Sequence, residues 1–109
     1  MISKLKECDK VRLLNDNFRT TFIGGQVLLS YGVSELPIDI KARALLTVKT
    51  FKDFTSGNDP YGEHDFGSFE LADDTFYWKI DLYEEPDVKS ANGERVVTRV
   101  LTIMLAEEY

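Results

Sequence analysis

The fold of this chain is indicated most clearly by the stretch TFYWKIDLY at residues 75–83. Apolar and polar side chains alternate along it, with Phe76, Trp78, Ile80 and Leu82 on one face and Tyr77, Lys79, Asp81 and Tyr83 on the other. Such alternation is typical of an antiparallel strand with one buried face. The stretch therefore predicts a sheet that packs on one side, with Trp78 in the core.

Two neighbouring segments extend this sheet. Gly67–Leu71 and the Val-, Thr- and Ile-rich segment Val96–Leu105 both predict strands. A turn at Ala72–Asp74 joins the first to residues 75–83, and an acidic loop at residues 84–95 leads to the second. We expect the last two strands to be adjacent and antiparallel.

The first half of the chain predicts two helices and a hairpin. Apolar residues recur three apart over residues 2–14, which favours an amphipathic helix, at Ile2, Leu5, Cys8, Val11 and Leu14. Asn15–Asn17 predicts a helix stop. The β-prone runs Arg19–Ile23 and Gln26–Tyr31 flank two glycines, a pattern that favours a hairpin.

The second predicted helix starts at Ser34–Pro37, because proline is tolerated in a first helical turn, and it runs to about Lys52. Its apolar stripe consists of Ile40, Ala44, Val48 and Phe51. The resulting order is α-β-β-α-β-β-β in one domain, residues 1–109. The predicted fold class is α+β, with two helices packed in a second layer on a mostly antiparallel five-stranded sheet.

Charge is distributed unevenly along the chain, whose net charge is −6. Residues 1–52 carry nine basic and five acidic side chains, whereas residues 53–109 carry four and fourteen. This distribution disfavours direct nucleic-acid binding, which needs clustered Lys and Arg, and favours a basic partner for an acidic surface. The alternative is that the two halves pair their charges internally.

The N-terminal residues and the single cysteine bear on the compartment. Cys8 cannot form an internal disulfide, and Met1–Lys6 leads into charged residues rather than an apolar run. No stretch of the sequence has the roughly 20 apolar residues that a membrane span needs. We therefore expect a cytoplasmic protein with no membrane association.

The densest group of polar side chains lies in the loop Asn58–Gly67, which reads NDPYGEHDFG. Its candidate catalytic residues are Asp59, Glu63, His64 and Asp65, since a histidine beside carboxylates can act as a base. The residues around the loop's serines show no nucleophile-elbow or triad pattern. The alternative is an ordered turn in which Asp59 or Asp65 accepts backbone hydrogen bonds.

The same loop is a poor metal or cofactor site. In an extended segment His64 points away from Glu63 and Asp65, and the spacing fails the calcium-loop template. The loop holds one imidazole, and the lone cysteine is distant in sequence. We expect no bound metal and no cofactor.

The polar face of the 75–83 strand is a second candidate surface, since tyrosines offer contact area and a hydroxyl at low entropic cost. Together with the loop it supplies the candidate partner-binding residues, which are Tyr61, Glu63, His64, Tyr77, Lys79, Asp81 and Tyr83. The alternatives are that a helix covers this face or that Lys79 and Asp81 only pair with each other.

Three segments resemble a family of short bacterial proteins classed as domain of unknown function 3768. They are NFR with FIGG at residues 17–25, the loop NDPYGEHDFG followed by WKID at residues 78–81, and TRVLTIMLAEEY at residues 98–109. Two tyrosines usually follow WKID in this family, but here Leu82 replaces the first and Tyr83 remains. The resemblance implies no activity. Because similar proteins are often encoded on plasmids and phages, it favours an accessory or host-interaction role.

These features support three hypotheses. The first is a small acidic, non-catalytic interaction module of a mobile element, which binds a basic or nucleic-acid-binding host protein and modulates or inhibits it. A nucleic-acid-handling defence system is one such target. The second is a small hydrolase or metal-dependent enzyme centred on Asp59, Glu63, His64 and Asp65. The third is a homodimer with a self-complementary sheet edge or tyrosine face.

Overall fold

The computed structural model describes residues 7–89, 91, 93 and 95–109. Its elements follow in chain order: helix α1 (Glu7–Thr21), strand β1 (Gly25–Leu29), helices α2 (Tyr31–Ser34) and α3 (Ile38–Lys49), strands β2 (Phe66–Leu71), β3 (Asp74–Lys89) and β4 (Arg95–Leu105), and a C-terminal 3₁₀ helix (Ala106–Glu108). The fold class is α+β, as predicted.

The strands form one mixed sheet in the order β1-β4-β3-β2. β2 and β3 pair antiparallel, as do β3 and β4, whereas β1 pairs parallel with β4. The predicted antiparallel pairing of the last two strands is confirmed, with Trp78 opposite Ile103. The prediction of five strands is wrong for the described residues, which form four.

The core lies between one face of this sheet and the helices. Trp78 is fully buried, as predicted, and it packs edge-on against Phe51 with ring centroids 5.5 Å apart. Ala44 and Val48 of α3 and Phe18 of α1 belong to the same cluster. Leu82, predicted on this buried face, is half-exposed.

The predicted hairpin around the two glycines is absent, and α1 continues through the predicted stop at Asn15–Asn17 to Thr21. Asn15 and Arg19 are buried and hydrogen-bonded to other elements, so tertiary contacts override the turn preference of Asn15 and the predicted strand that begins at Arg19. Gly24 takes a left-handed φ of 105° and redirects the chain into β1. Ile2 and Leu5 of the predicted stripe lie outside the described residues, and Leu14 is exposed.

The second predicted helix corresponds to α3, which ends at Lys49 rather than Lys52, and an additional short helix, α2, replaces the end of the predicted strand before it. Pro37 occupies the N-cap of α3 with an extended backbone, so α3 begins at Ile38. Together with the missing hairpin strand, this changes the predicted order to α-β-α-α-β-β-β.

The predicted acidic loop at residues 84–95 is largely strand. β3 runs to Lys89 and β4 begins at Arg95, so the two strands form a long ribbon. The register shifts between Glu85 and Lys89, and Pro86 in that interval cannot donate a ladder hydrogen bond. Among the described residues, no helix combines the length and apolar composition needed to cross a bilayer.

Candidate functional site

The loop between α3 and β2 is organised around Asp59. Its Oδ1 accepts hydrogen bonds from the backbone N–H groups of Glu63 and His64 at 3.0 and 3.1 Å, and its side chain is only 6% exposed. His64 adopts a left-handed φ of 53°, which Asp59 stabilises by binding the two successive N–H groups. The prediction that Asp59 accepts backbone hydrogen bonds is confirmed.

The His64 ring lies between two carboxylates and an aromatic ring. It stacks on Phe54 with centroids 3.7 Å apart. Nδ1 is 2.9 Å from Oδ1 and 3.1 Å from Oδ2 of Asp16 on α1, and Nε2 is 3.5 Å from Oδ2 of Asp59. Both ring nitrogens therefore face a carboxylate.

Asp16 also pairs with Arg19, which is almost completely buried. The two side chains approach to 3.1 Å, and the Arg19 Nη1 donates to the carbonyls of Val48 and Phe51 at 2.8 and 3.1 Å. These carbonyls lie at the C-terminus of α3, where a cation is favourable. Asp16, Arg19, Asp59 and His64 form what we call the Asp16 network, which ties α1 to α3 and to the loop.

Asn15 extends this bracing to the sheet. Its Nδ2 donates to the Glu63 carbonyl at 3.0 Å, and its Oδ1 accepts from Arg99 Nε on β4 at 3.0 Å. Burial lowers the pKa of Arg99. Sequence reasoning missed Asn15, Asp16 and Arg19 because it predicted a helix stop at the first two and a strand that begins at Arg19. Their spacing of three and four positions, read as one helical face, was the available signal.

The structure brings only two of the four candidate catalytic residues together, which are Asp59 and His64. The Asp65 carbonyl accepts a hydrogen bond from the Ile80 N–H at 2.8 Å. Burial raises the pKa of the Asp65 side chain, and the charges of Asp59 and Asp81 raise it further. A hydrogen bond from the backbone N–H of Asp65 itself opposes this shift. Glu63 contributes its N–H and carbonyl to the bracing described above. No group of three His, Cys, Asp or Glu side chains suited to a metal ion occurs in the described part of the chain.

A shallow groove of about 400 Å³ lies beside the network, lined in part by Asp16, Arg19, Lys49, Lys52, Phe54 and His64. A general base needs a free nitrogen directed at the substrate proton. Here both nitrogens of His64 face carboxylates, and the nearby Thr20 hydroxyl donates to the Asp16 carbonyl at 2.8 Å. The geometry therefore suits bracing better than acid–base catalysis.

The sheet face opposite the helices carries the second group of candidates, which are Tyr77, Lys79, Asp81 and Tyr83. We call this surface the open face, because no described α-helix covers it. Lys79 Nζ lies 2.6 Å from Asp81 Oδ2 along the same strand, and this hydrogen bond raises the pKa of Lys79. Tyr77 is half-buried and Tyr83 is more than half exposed.

The C-terminus covers one end of the open face. The Tyr109 ring packs edge-on against Tyr77, with centroids 5.3 Å apart, and lies 6.0 Å from Phe66. Glu108 anchors this end by accepting from the Ser30 hydroxyl at 2.5 Å, the Leu105 N–H at 2.8 Å and the Gly32 N–H at 2.9 Å. These bonds, above all the one from Ser30, lower the pKa of Glu108.

The seven candidate partner-binding residues do not form one continuous surface. His64 lies on the helix side of the sheet, between Asp16 and Phe54, whereas the four strand residues point to the opposite side. Tyr61 is highly exposed within the loop. The predicted partner-binding surface is therefore two separate surfaces, the loop and the open face, and the open face is the more accessible of the two.

The fold and the braced loop define a small α+β domain built on a mixed four-stranded sheet. A family model described as "Protein of unknown function (DUF3768)" matches residues 29–108, and the chain belongs to this family. The matched segment begins at the end of β1, so it excludes α1. Comparison with curated proteins and with solved structures gave no match.

Proposed function

We propose that this protein is a non-catalytic interaction module that binds a basic protein surface through its open face. The observation that carries the proposal is the asymmetry of the sheet. One face is covered by helices and buries Trp78, whereas the other presents Tyr77, Tyr83 and half-exposed Leu28. Aromatic side chains on an accessible sheet provide contact area and a hydroxyl at low entropic cost.

The charges on the open face favour a basic partner. The strand register places Glu70, Asp81 and Glu85 on this face together with one described basic side chain, Lys79. Lys79 is paired with Asp81, so Glu70 and Glu85 have no basic counterpart among the described side chains of this face. A surface that carries charge of one sign speeds association with a partner of opposite charge and makes the association sensitive to salt.

The biological setting of the proposal rests on the family resemblance. Proteins encoded on plasmids and phages commonly act on the host, so we infer that the partner is a host protein that this chain modulates or inhibits. A basic binding surface is typical of proteins that contact nucleic acid. A nucleic-acid-handling defence protein therefore fits the acidic open face, and binding there would compete with the nucleic acid.

The test is affinity capture from a bacterial lysate with three versions of the chain. The face variant combines Tyr83→Ala with Glu70→Lys. The matched control combines Leu46→Ala with Glu35→Lys, which makes the same types of change at exposed positions among the helices. We expect the wild type and the control to retain a basic protein that the face variant loses, and added salt to release it.

The proposal is wrong if the face variant retains the same protein as the wild type. It is equally wrong if no protein is retained specifically by the wild type across host lysates. Circular dichroism of all three versions establishes that the substitutions leave the fold intact.

A further inference from the structure

The outer edge of β1 is the least protected edge of the sheet. Among the described residues β1 pairs only with β4, so one side of the strand carries backbone groups that face no described strand. The Ser30 N–H donates to the Ile103 carbonyl, and backbone direction alternates along a strand. The N–H and C=O groups of Gly25, Val27 and Leu29 therefore point outward.

Natural proteins usually block such edges with charged side chains, proline or bulges. Gly25–Leu29 reads GQVLL and contains none of these, whereas the opposite edge strand β2 carries Glu70. Large apolar side chains are also exposed at and beside β1, with Ile23 at 78%, Leu28 at 48% and Tyr31 at 71%. The edge has both the hydrogen-bonding groups and the apolar surroundings of an interface.

We propose that β1 pairs antiparallel with β1 of a second copy of this chain, across a two-fold axis at Val27. In this register the outward groups of Val27 meet those of the second Val27, and Gly25 faces Leu29 of the second copy. The dimer then contains one continuous sheet that runs through both chains.

In this register the side chains of β1 are compatible with those of β1 in the second copy. Val27 lies beside its equivalent in the second copy, and Gly25, whose Cβ position is occupied by the Arg99 carbonyl and Phe18, presents no side chain opposite Leu29. On the open face Gln26 stands directly opposite Leu28 of the second copy, and the strand has no charge to repel its partner. A second copy is therefore the occupant that the strand's own size and charge pattern favours.

The test uses the direct opposition of positions 26 and 28, which are both exposed. The double variant Gln26→Lys with Leu28→Lys places lysines opposite each other at both ends of the interface. The double variant Gln26→Lys with Leu28→Glu places lysine opposite glutamate at the same two points. Ile38→Lys with Leu46→Lys, exposed on α3, is the matched control for added charge and lost apolar surface.

Analytical ultracentrifugation over a concentration series measures the outcome. We expect the wild type, the lysine–glutamate variant and the α3 control to reach twice the 12.5 kDa chain mass. The lysine–lysine variant should weaken self-association at least about tenfold, since like charges directly opposite destabilise strand pairing. A wild type that stays monomeric, or a lysine–lysine variant that dimerises like the wild type, overturns the proposal.

Hydrogen exchange provides a second measurement that needs no variant. The outward amides of Val27 and Leu29 should become protected as the wild-type concentration rises, because pairing with the second strand buries them. Unprotected amides at concentrations where the chain is dimeric show that another surface forms the dimer, and the proposal is then wrong. The result is independent of binding at the open face.

Discussion

Gly67 is a residue whose size is restricted by the aromatic side chains of the core. It stands opposite Trp78 in the sheet, and a Cβ at this position would lie 2.7 Å from Trp78 Cε2 and 2.8 Å from Phe51 Cζ. Neither ring can move freely, because Trp78 is fully buried and Phe51 nearly so. The backbone at Gly67 needs no left-handed φ, so its role is to leave room for the indole.

We expect Gly67→Ala to lower the free energy of unfolding by roughly 1 to 3 kcal/mol, the usual cost of overpacking a core. Gly57→Ala is the matched control, since the nearest atom to its added Cβ would be Thr55 Oγ1 at 3.7 Å. Urea denaturation of both variants measures the difference. Equal stabilities for the two variants would show that the Trp78 ring shifts without cost.

At the scale of the loop, substitution of Asp59 tests whether this side chain stabilises the loop structure. Asp59→Ala leaves the Glu63 and His64 N–H groups without their acceptor, so we expect a loss of roughly 2 to 4 kcal/mol in unfolding free energy. Asp59→Asn keeps an acceptor oxygen and should recover most of that loss. Thermal denaturation of the pair measures this, and an alanine variant with wild-type stability would contradict the bracing role.

The C-terminal 3₁₀ helix depends on ionised Glu108. Because folding lowers the pKa of Glu108 below its ordinary value of 4.5, its contribution to stability is present above pH 4.5 and is lost as the pH falls through the folded-state pKa. We expect Glu108→Gln to be less stable than the wild type at pH 7, with the gap closing below pH 4.5.

Denaturation midpoints over a pH series measure this gap. Glu107→Gln is the control, since Glu107 is an exposed neighbour that makes no side-chain hydrogen bond to the described residues. A gap between wild type and Glu108→Gln that does not change with pH would show that the carboxylate charge is irrelevant there.

The sequence predicts elements whose patterns are local and misses those determined by distant partners. Trp78 and its strand were predictable because alternation reports burial directly. Asn15 was not, because its buried amide is satisfied by Glu63 and Arg99, which only the fold brings near. For the same reason β1 looked like half of a hairpin, since two glycines signal a turn but do not identify which strand β1 will join.

At the scale of the whole molecule, we expect stable folding to require α1, although the family match begins at Leu29. α1 supplies Phe18 to the core and supplies Asp16 and Arg19 to the Asp16 network. We expect a chain of residues 29–109 to lack a cooperative thermal transition, and a peptide of residues 1–28 to restore one on mixing. A truncated chain that unfolds cooperatively with the stability of the full chain would contradict this.

The position of β4 also determines when the protein can fold. β4 separates β1 from β3 in the sheet but is the last strand in the chain, and it pairs Gly25 with Arg99. During synthesis, β1 and the helices leave the ribosome long before the strand that will join them to β3 has been made. Contacts so distant in sequence form slowly and leave apolar surface exposed meanwhile. The four-stranded sheet therefore forms only after β4 has been synthesised, and the apolar faces of the earlier elements stay uncovered until then.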